Sequence, residues 1–243
     1  MKITVFNGSP RCEKGNTHFM VKEFLEGAEK AGADTEVIFL AKKKINHCTG
    51  CYTCWFKTPK KCVFQDDVAE LLEKSIKSDI IVYACPVYVG SVPGIMKDFL
   101  DRHVCLAEHN MEKGENGVYT HVKKDRKQGK MVLISNCGFP EQIHFKYFKT
   151  VFEYIEMNGA AKIIAEIYRG EGPLLQITVP ELAPVIDNYK NLLRKAGKEV
   201  VENECLSAET KEELEKPLIP YDMYMTLGNK FFNERKNRME KEV

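Results

Sequence analysis

The chain has no apolar run long enough to span a bilayer, no excess of either charge and no internal repeat. Its longest apolar stretches are strand-sized, which argues against a membrane span. Thirty-six Lys and Arg face 35 Asp and Glu, a formal net charge of +1, so no electrostatic footprint marks a partner of nucleic acid or of an anionic membrane. The N-terminus enters a β-branched stretch at once (Lys2-Ile-Thr-Val-Phe6), leaving no room for a signal peptide. No Ser–His–Asp or paired-carboxylate arrangement stands out, and tryptophan occurs once, at Trp55. Cysteine is what the chain does have. Nine of them, an odd number without export features, point to a reducing compartment and to thiols serving as ligands or redox groups rather than as a disulfide framework. The expectation is a soluble, cytoplasmic protein.

With 243 residues and 44% hydrophobic side chains, one sizeable core with extensions is the default. Short β-branched runs alternate with amphipathic, helix-length segments. Strands are expected at Ile3–Phe6, Asp34–Leu40, Ile80–Ala84, Met131–Ser135 and Ile163–Ile167. Helices are expected over Thr17–Lys30, after Asp67, over Pro93–Arg102, around Phe145–Ile155 and after Thr178. Asp67 with Glu70, and Thr178 with Glu181, have capping-box spacing. Continuous apolar strands alternating with helices predict an α/β, doubly wound, five-stranded parallel sheet, whose ligand site lies beyond the carboxyl ends of the strands. Two segments fall outside the alternation. Residues 103–128, with the Lys123-Lys-Asp-Arg-Lys127 run, read as an insertion. Residues 204–243 read as a C-terminal extension to a 1–203 domain, with one helix-like piece (Ser207–Lys216), breakers at Pro217 and Pro220, and a charged tail. Tyr221–Met225 with Leu227, Phe231 and Phe232 is apolar for a tail and is expected to pack across a subunit interface, the alternative being that it covers its own sheet.

Cys48, Cys51, Cys54 and Cys62 crowd into one loop (47–62) with the spacing C-x2-C-x2-C-x7-C. Three thiols two residues apart with a fourth folding over them suit an iron–sulfur cluster. Structural thiols, a zinc site and a Cys51/Cys54 redox dithiol fit the same residues, and the spacing alone does not choose among them. His47 reads as solvated, Trp55 and Phe56 as apolar anchors of the loop, and Cys105 as a scattered cysteine without a role.

Three strand ends carry the remaining signals. Gly8-Ser-Pro-Arg-Cys-Glu-Lys-Gly-Asn-Thr17 places small residues, neutral donors and one planar cation before a helix N-terminus, a setting for a phosphate monoester. It is neither a Walker A loop nor G-x-G-x-x-G. Cys85-Pro-Val-Tyr-Val-Gly90 and Ser135-Asn-Cys-Gly-Phe-Pro140 mix backbone amides with flat apolar side chains, as a planar, amide-rich ring such as isoalloxazine requires.

Gly8-Ser-Pro-Arg…Gly15-Asn-Thr, Cys-x-x-Cys-x-x-Cys…Cys62-x3-Asp-Asp67 and Pro86-Val-Tyr…Lys97-x-Phe-x-Asp-Arg102 together resemble the NADPH-dependent FMN reductase family of flavodoxin-like proteins, and within it the iron–sulfur flavoprotein branch. The resemblance covers roughly the first 170 residues. It implies FMN, with Ser9, Arg11, Asn16 and Thr17 on the phosphate, Pro86, Val87, Tyr88 and Gly90 on one side of the ring, and Asn136 and Gly138 on the other. It implies a [4Fe–4S] cluster on Cys48, Cys51, Cys54 and Cys62, and a homo-oligomer, dimer or tetramer. The expected activity is an FMN-dependent oxidoreductase that takes electrons from NAD(P)H or a ferredoxin-type donor and passes them to a small acceptor: a quinone, nitroaromatic, flavin or metal ion. The alternatives are a flavodoxin-like carrier without its own substrate and a non-catalytic metal-binding module. No acid–base residue is named.

Overall fold

The computed structural model describes residues 1–114, 117–122 and 128–239; the basic run at 123–127 and the last four residues lie outside them. Five strands, β1 (Lys2–Asn7), β2 (Asp34–Phe39), β3 (Ile80–Pro86), β6 (Gly129–Asn136) and β7 (Ala161–Arg169), form one parallel sheet in the order β2-β1-β3-β6-β7. The helices between them are α1 (Asn16–Lys30), the single turn α2 (Thr53–Phe56), α3 (Val68–Lys77), α4 (Gly94–Asp101), α5 (Lys146–Met157) and α6 (Ala183–Asn203). This is the flavodoxin-like doubly wound fold. The order in which the chain adds strands reverses between β1 and β3, so the loops leaving these strands part there and open a crevice.

Both faces of the sheet are buried, which is why its strands are near-continuously apolar. One core packs Ile3, Val5, Val82, Val132 and Ile167 under α1 and α6; the other packs Phe6, Tyr83, Met131 and Leu133 under α3, α4 and α5. Phe148 and Phe152, spaced four apart on α5, are both fully buried, each contributing about 2 kcal/mol. Helices α1 and α6 touch backbone to backbone. A Cβ on Gly27 would lie 1.9 Å from the Arg194 carbonyl oxygen, and one on Gly197 would lie 1.9 Å from that of Phe24.

Neither capping box forms. The Asp67 carboxylate instead accepts from the Lys44 amide at 2.7 Å, and Asp66 accepts from the Val68 amide at 3.2 Å. At the other site the chain turns through a 3-10 segment, Pro180–Leu182, and α6 begins at Ala183 with no side-chain cap. Pro180 and Pro184 account for this: each presets a helical φ without needing an amide partner.

The described residues of the 103–128 segment carry regular structure that its polar sequence does not suggest. It holds a 3-10 turn (Arg102–Leu106) and an antiparallel hairpin of β4 (Met111–Lys113) and β5 (Tyr119–His121). His121 packs on Trp55 with ring centroids 5.0 Å apart, so the hairpin leans on the cysteine loop. The extension also differs from expectation. After α7 (Ala208–Glu215), capped by Ser207, the residues read as a charged tail form a helix, α8 (Tyr221–Met239). Leu214, Leu218, Ile219 and Tyr224 join the α1/α6 core, so the start of the extension covers its own sheet, while Phe231 and Phe232 are exposed. A buried pair secures it. Arg169 donates to the Lys216 carbonyl at 2.8 Å, and Glu171 accepts from the Leu218 and Ile219 amides at 2.8 and 3.3 Å. Among the described residues no helix is long and apolar enough to cross a membrane.

Candidate functional site

Pro86, Asn136 and Arg169 stand side by side at the carboxyl ends of β3, β6 and β7, and Asn7 ends β1 beside Ala84. The loops that leave them build one surface.

The loop after β1 is internally tied. The Ser9 amide donates to Asn7 Oδ1 at 2.9 Å, the Arg11 amide to Ser9 Oγ at 3.3 Å, and the Gly15 amide to the Cys12 carbonyl at 3.1 Å. Ser9 and Thr17 are buried; Arg11 is exposed and Asn16 partly so. No side chain caps the start of α1, so its first-turn amides and dipole face this loop without an internal anion. Thr17 Oγ1 accepts from Asn136 Nδ2 at 2.8 Å, which joins the first and fourth strand ends. Asn16 Oδ1 accepts from Gln176 Nε2 at 2.7 Å; Gln176 carried no signal of its own in the sequence.

The loop after β3 closes in a tight turn. The Tyr88 and Ser91 amides and carbonyls exchange bonds of 2.9 and 3.0 Å, with Val89 at φ 49° and Gly90 at φ 79°. Two consecutive positive φ values are the signature of a type I′ turn. Gly90 adopts its value freely, whereas Val89, β-branched and exposed, is strained there. The Val87 amide bonds the Asn136 carbonyl at 2.9 Å, holding this loop against the one after β6. There the Cys137 amide and carbonyl are taken by Arg169 and Gly172. Gly138 and Phe139 are exposed, Phe139 stacking on His144 with centroids 4.4 Å apart. The structure thus brings Ser9, Asn16, Thr17, Pro86, Val87, Tyr88, Gly90, Asn136 and Gly138 to one sheet edge, with Arg11 on its exposed rim. The uncapped helix end, the small-residue loop and the flat apolar rim fit a flavin mononucleotide.

The four loop cysteines line a separate cavity of about 360 Å³, together with Phe64, Arg102 and Cys105. The loop is pinched at its neck, where the Asp67 amide bonds the Lys44 carbonyl at 3.0 Å and the Asn46 amide bonds Asp66 at 3.0 Å. All nine cysteines are free. Cys48 and Cys51 are exposed, Cys62 is half-buried and Cys54 is buried. Hydrogen bonds from the Thr53 hydroxyl and amide lower the pKa of Cys51, whereas burial and the neighbouring Cys62 raise that of Cys54. Cys105, read from sequence as scattered, is the fifth thiol of the wall; burial pushes it up to about 11, so it stays protonated. Among the described residues, no group of three or more His, Cys, Asp or Glu is gathered to hold a metal ion. Four thiols spread around one cavity, with a cation beside them, fit a group the size of a cluster.

Trp55 anchors the loop, donating Nε1–H to the Val104 carbonyl at 3.0 Å and stacking on Tyr52. His47 is solvated as expected, yet its Nδ1 lies 2.6 Å from Asp98 of α4. Asp66 and Arg102 form a buried ion pair, Nη1 to Oδ2 at 2.7 Å and Nη2 to Oδ1 at 3.1 Å. Burial alone would raise the Asp66 pKa, but Arg102 and the Asn46 donors outweigh it and hold it at about 2.

The family model for NADPH-dependent FMN reductases matches residues 1–135, more than half of the sequence. The chain belongs to this family. It is 35% identical over 143 residues to an iron–sulfur flavoprotein of Archaeoglobus fulgidus (59% of each chain) and 43% identical over 102 residues to one of Methanocaldococcus jannaschii (42% of this chain, 51% of that one). It is 34% identical over 149 residues to one of Methanosarcina thermophila, covering 59% of this chain and 74% of that one. The chain therefore spans about half to three-fifths of the first two relatives' length. Among solved structures, the FMN reductase fold is shared with an FMN-dependent NADH-azoreductase of Bacillus anthracis in complex with FMN (TM-score 0.60, 16% identity, 82% of this chain and 99% of that one). It is also shared with an NAD(P)H:quinone oxidoreductase of Methanothermobacter marburgensis (TM-score 0.59, 17% identity, 82% and 96%).

Proposed function

We propose that the chain is an FMN-dependent oxidoreductase that takes electrons from NAD(P)H or a reduced ferredoxin-type carrier and passes them to a small acceptor. In this reading the thiol cavity is the seat of a [4Fe–4S] cluster on Cys48, Cys51, Cys54 and Cys62. The observation that carries it is the pairing of two sites in one frame: an uncapped helix end with amide-rich loops at the switch point, and four thiols around a single cavity. The relatives, iron–sulfur flavoproteins, and the azo- and quinone-reducing structural neighbours support the same classes of cofactor and acceptor.

Bound FMN would supply hydride and single-electron chemistry, and a bound cluster single-electron transfer. The residues of the chain do the rest. Ser9, Asn16, Thr17 and the amides of α1 present neutral donors to a phosphate, and Arg11 a planar cation at its rim. Asn136, fixed by Thr17, and the locked Tyr88–Ser91 turn orient a flat ring. Val87, Tyr88 and Phe139 supply apolar surface that excludes water from it. The exposed Met223, Leu227, Phe231 and Phe232 of α8 suit a homo-oligomer.

Anaerobic purification followed by an absorption spectrum with flavin, iron and acid-labile sulfide assays tests the reading. Stoichiometric FMN with equal amounts of iron and sulfide is expected. Flavin without iron and sulfide overturns the cluster, and protein that takes up no flavin overturns the oxidoreductase.

A further inference from the structure

We propose that Arg102 is the fixed cation that raises the reduction potential of the cluster, acting from the wall of the thiol cavity; the assignment rests on the cluster reading above. Arg102 is 1% exposed and lines the same cavity as the four cysteines. Its fork is oriented from one side only. Nη1 donates to the Asn46 carbonyl at 2.9 Å and to Asp66 at 2.7 Å, Nη2 donates to Asp66 at 3.1 Å, and the Phe64 ring lies 5.1 Å from the guanidinium carbon. A guanidinium has five N–H donors; the Cys62 side chain is a further hydrogen-bond partner of Arg102, and the buried Nε has none. A buried donor left unpaired is destabilising, so an acceptor in the cavity would be favoured. Arg102 is thus already coupled to one of the four proposed ligand thiols, Cys62. The Cys105 thiol donates to the Arg102 carbonyl at 3.2 Å, which holds the residue's backbone in the wall as well.

Asp66 does not cancel the field of Arg102 in the cavity. Its carboxylate is fully buried and turned away into donors of its own: the Asn46 amide at 3.0 Å, the Asn46 side chain at 2.9 Å, and the Val68 amide at the start of α3. Those dipoles share its charge, as a helix N-terminus does for any anion. The lysines of the same loop do not compete with Arg102. Lys57, Lys60 and Lys61 are exposed, where solvent screens them, and Lys60 pairs with Glu108 at 3.5 Å. A thiolate-ligated cluster gains one negative charge on accepting an electron. A buried cation at its edge therefore stabilises the reduced form more than the oxidised one, and potentials follow both local charge and hydrogen bonds to sulfur. Arg102 is thus a positioning and tuning residue, not a ligand.

The test uses holoprotein purified anaerobically and titrated with dithionite and mediators, the cluster being followed by electron paramagnetic resonance. The neutral pair D66N/R102Q replaces the buried ion pair by amides of similar shape. It is expected to keep FMN, iron and sulfide, and to lower the reduced-to-oxidised ratio of the cluster at a fixed potential at least tenfold, 59 mV for a one-electron couple; R102K is expected to stay within threefold of wild type. An unchanged midpoint in the neutral pair, or iron lost while FMN is kept, overturns the assignment. Wild-type protein labelled with 15N-arginine gives a second readout that needs no variant. A 15N coupling to the reduced cluster is expected, and its absence overturns the proposal even if the neutral pair does not fold. Wild-type protein with FMN but no iron or sulfide would instead mark failure of the cluster reading itself.

Discussion

The Tyr224 hydroxyl donates a 2.6 Å hydrogen bond to the carbonyl oxygen of Gly138, tying the C-terminal extension to a loop of the candidate flavin site 86 residues earlier. Burial, with Glu171 adding to it, pushes this phenol up to about 12, so it remains a donor across the physiological range. Y224F removes one hydrogen bond worth about 1 kcal/mol. FMN affinity of the apoprotein, followed by flavin fluorescence quenching, is expected to fall about fivefold, with the circular dichroism spectrum unchanged. Unaltered affinity would show that the extension only covers the sheet.

Arg11 stands exposed at the rim of the phosphate loop, where a side-chain cation adds affinity only for a charged ligand. R11A is expected to weaken FMN binding about ten- to a hundredfold, the range of one charge-assisted hydrogen bond. Riboflavin binding should be unaffected. Equal losses for both flavins would place Arg11 away from the phosphate.

Asp66 gives a pH signature. Its folded pKa, about 2, lies below the ordinary 3.8, so its contribution to stability is fully present above about pH 4 and is lost as pH falls toward 2. The unfolding free energy of wild type minus that of D66N, from urea titrations, should be flat from pH 7 to about 4. It should then shrink by on the order of 2 kcal/mol by pH 2. A difference that does not change with pH would disprove the coupling.

Val89 sits in the left-handed region at the corner of the Tyr88–Ser91 turn and touches nothing that its side chain needs. V89N is expected to stabilise the protein by about 1 kcal/mol, because asparagine tolerates this backbone and a β-branched residue does not. Chemical denaturation measures it.

G197A is expected to cost about 3 kcal/mol or more, since its methyl group would meet the Phe24 carbonyl and force α1 and α6 apart. Thermal unfolding would show a drop of several degrees. An unchanged melting temperature would mean that the two helices separate freely.

Much of this was legible beforehand because it is local. Alternating apolar periodicity determines strand and helix, and five parallel units with both faces buried admit few arrangements. The strand ends, the Gly-Ser-Pro loop and the four clustered cysteines could be read because the residues that act together lie together in sequence. What escaped is long-range or ambivalent. Asp66 and Asp67 share one dipeptide and one helix start; which of them caps, and which is buried against Arg102, depends on a guanidinium 36 residues away. Cys105 resembles any scattered thiol until the turn after α4 swings it into the cavity wall. The stretch after Pro220 has the charges of a tail, yet Leu218, Ile219 and Tyr224 find apolar partners on the sheet and α8 grows from that anchor. Neighbour-to-neighbour spacing was enough to set the strand pattern, the phosphate loop and the number of clustered thiols. Which cation faces those thiols and what secures the Gly138 loop follow from the folded arrangement, because both rest on contacts whose strength comes from burial, and burial belongs to the whole fold.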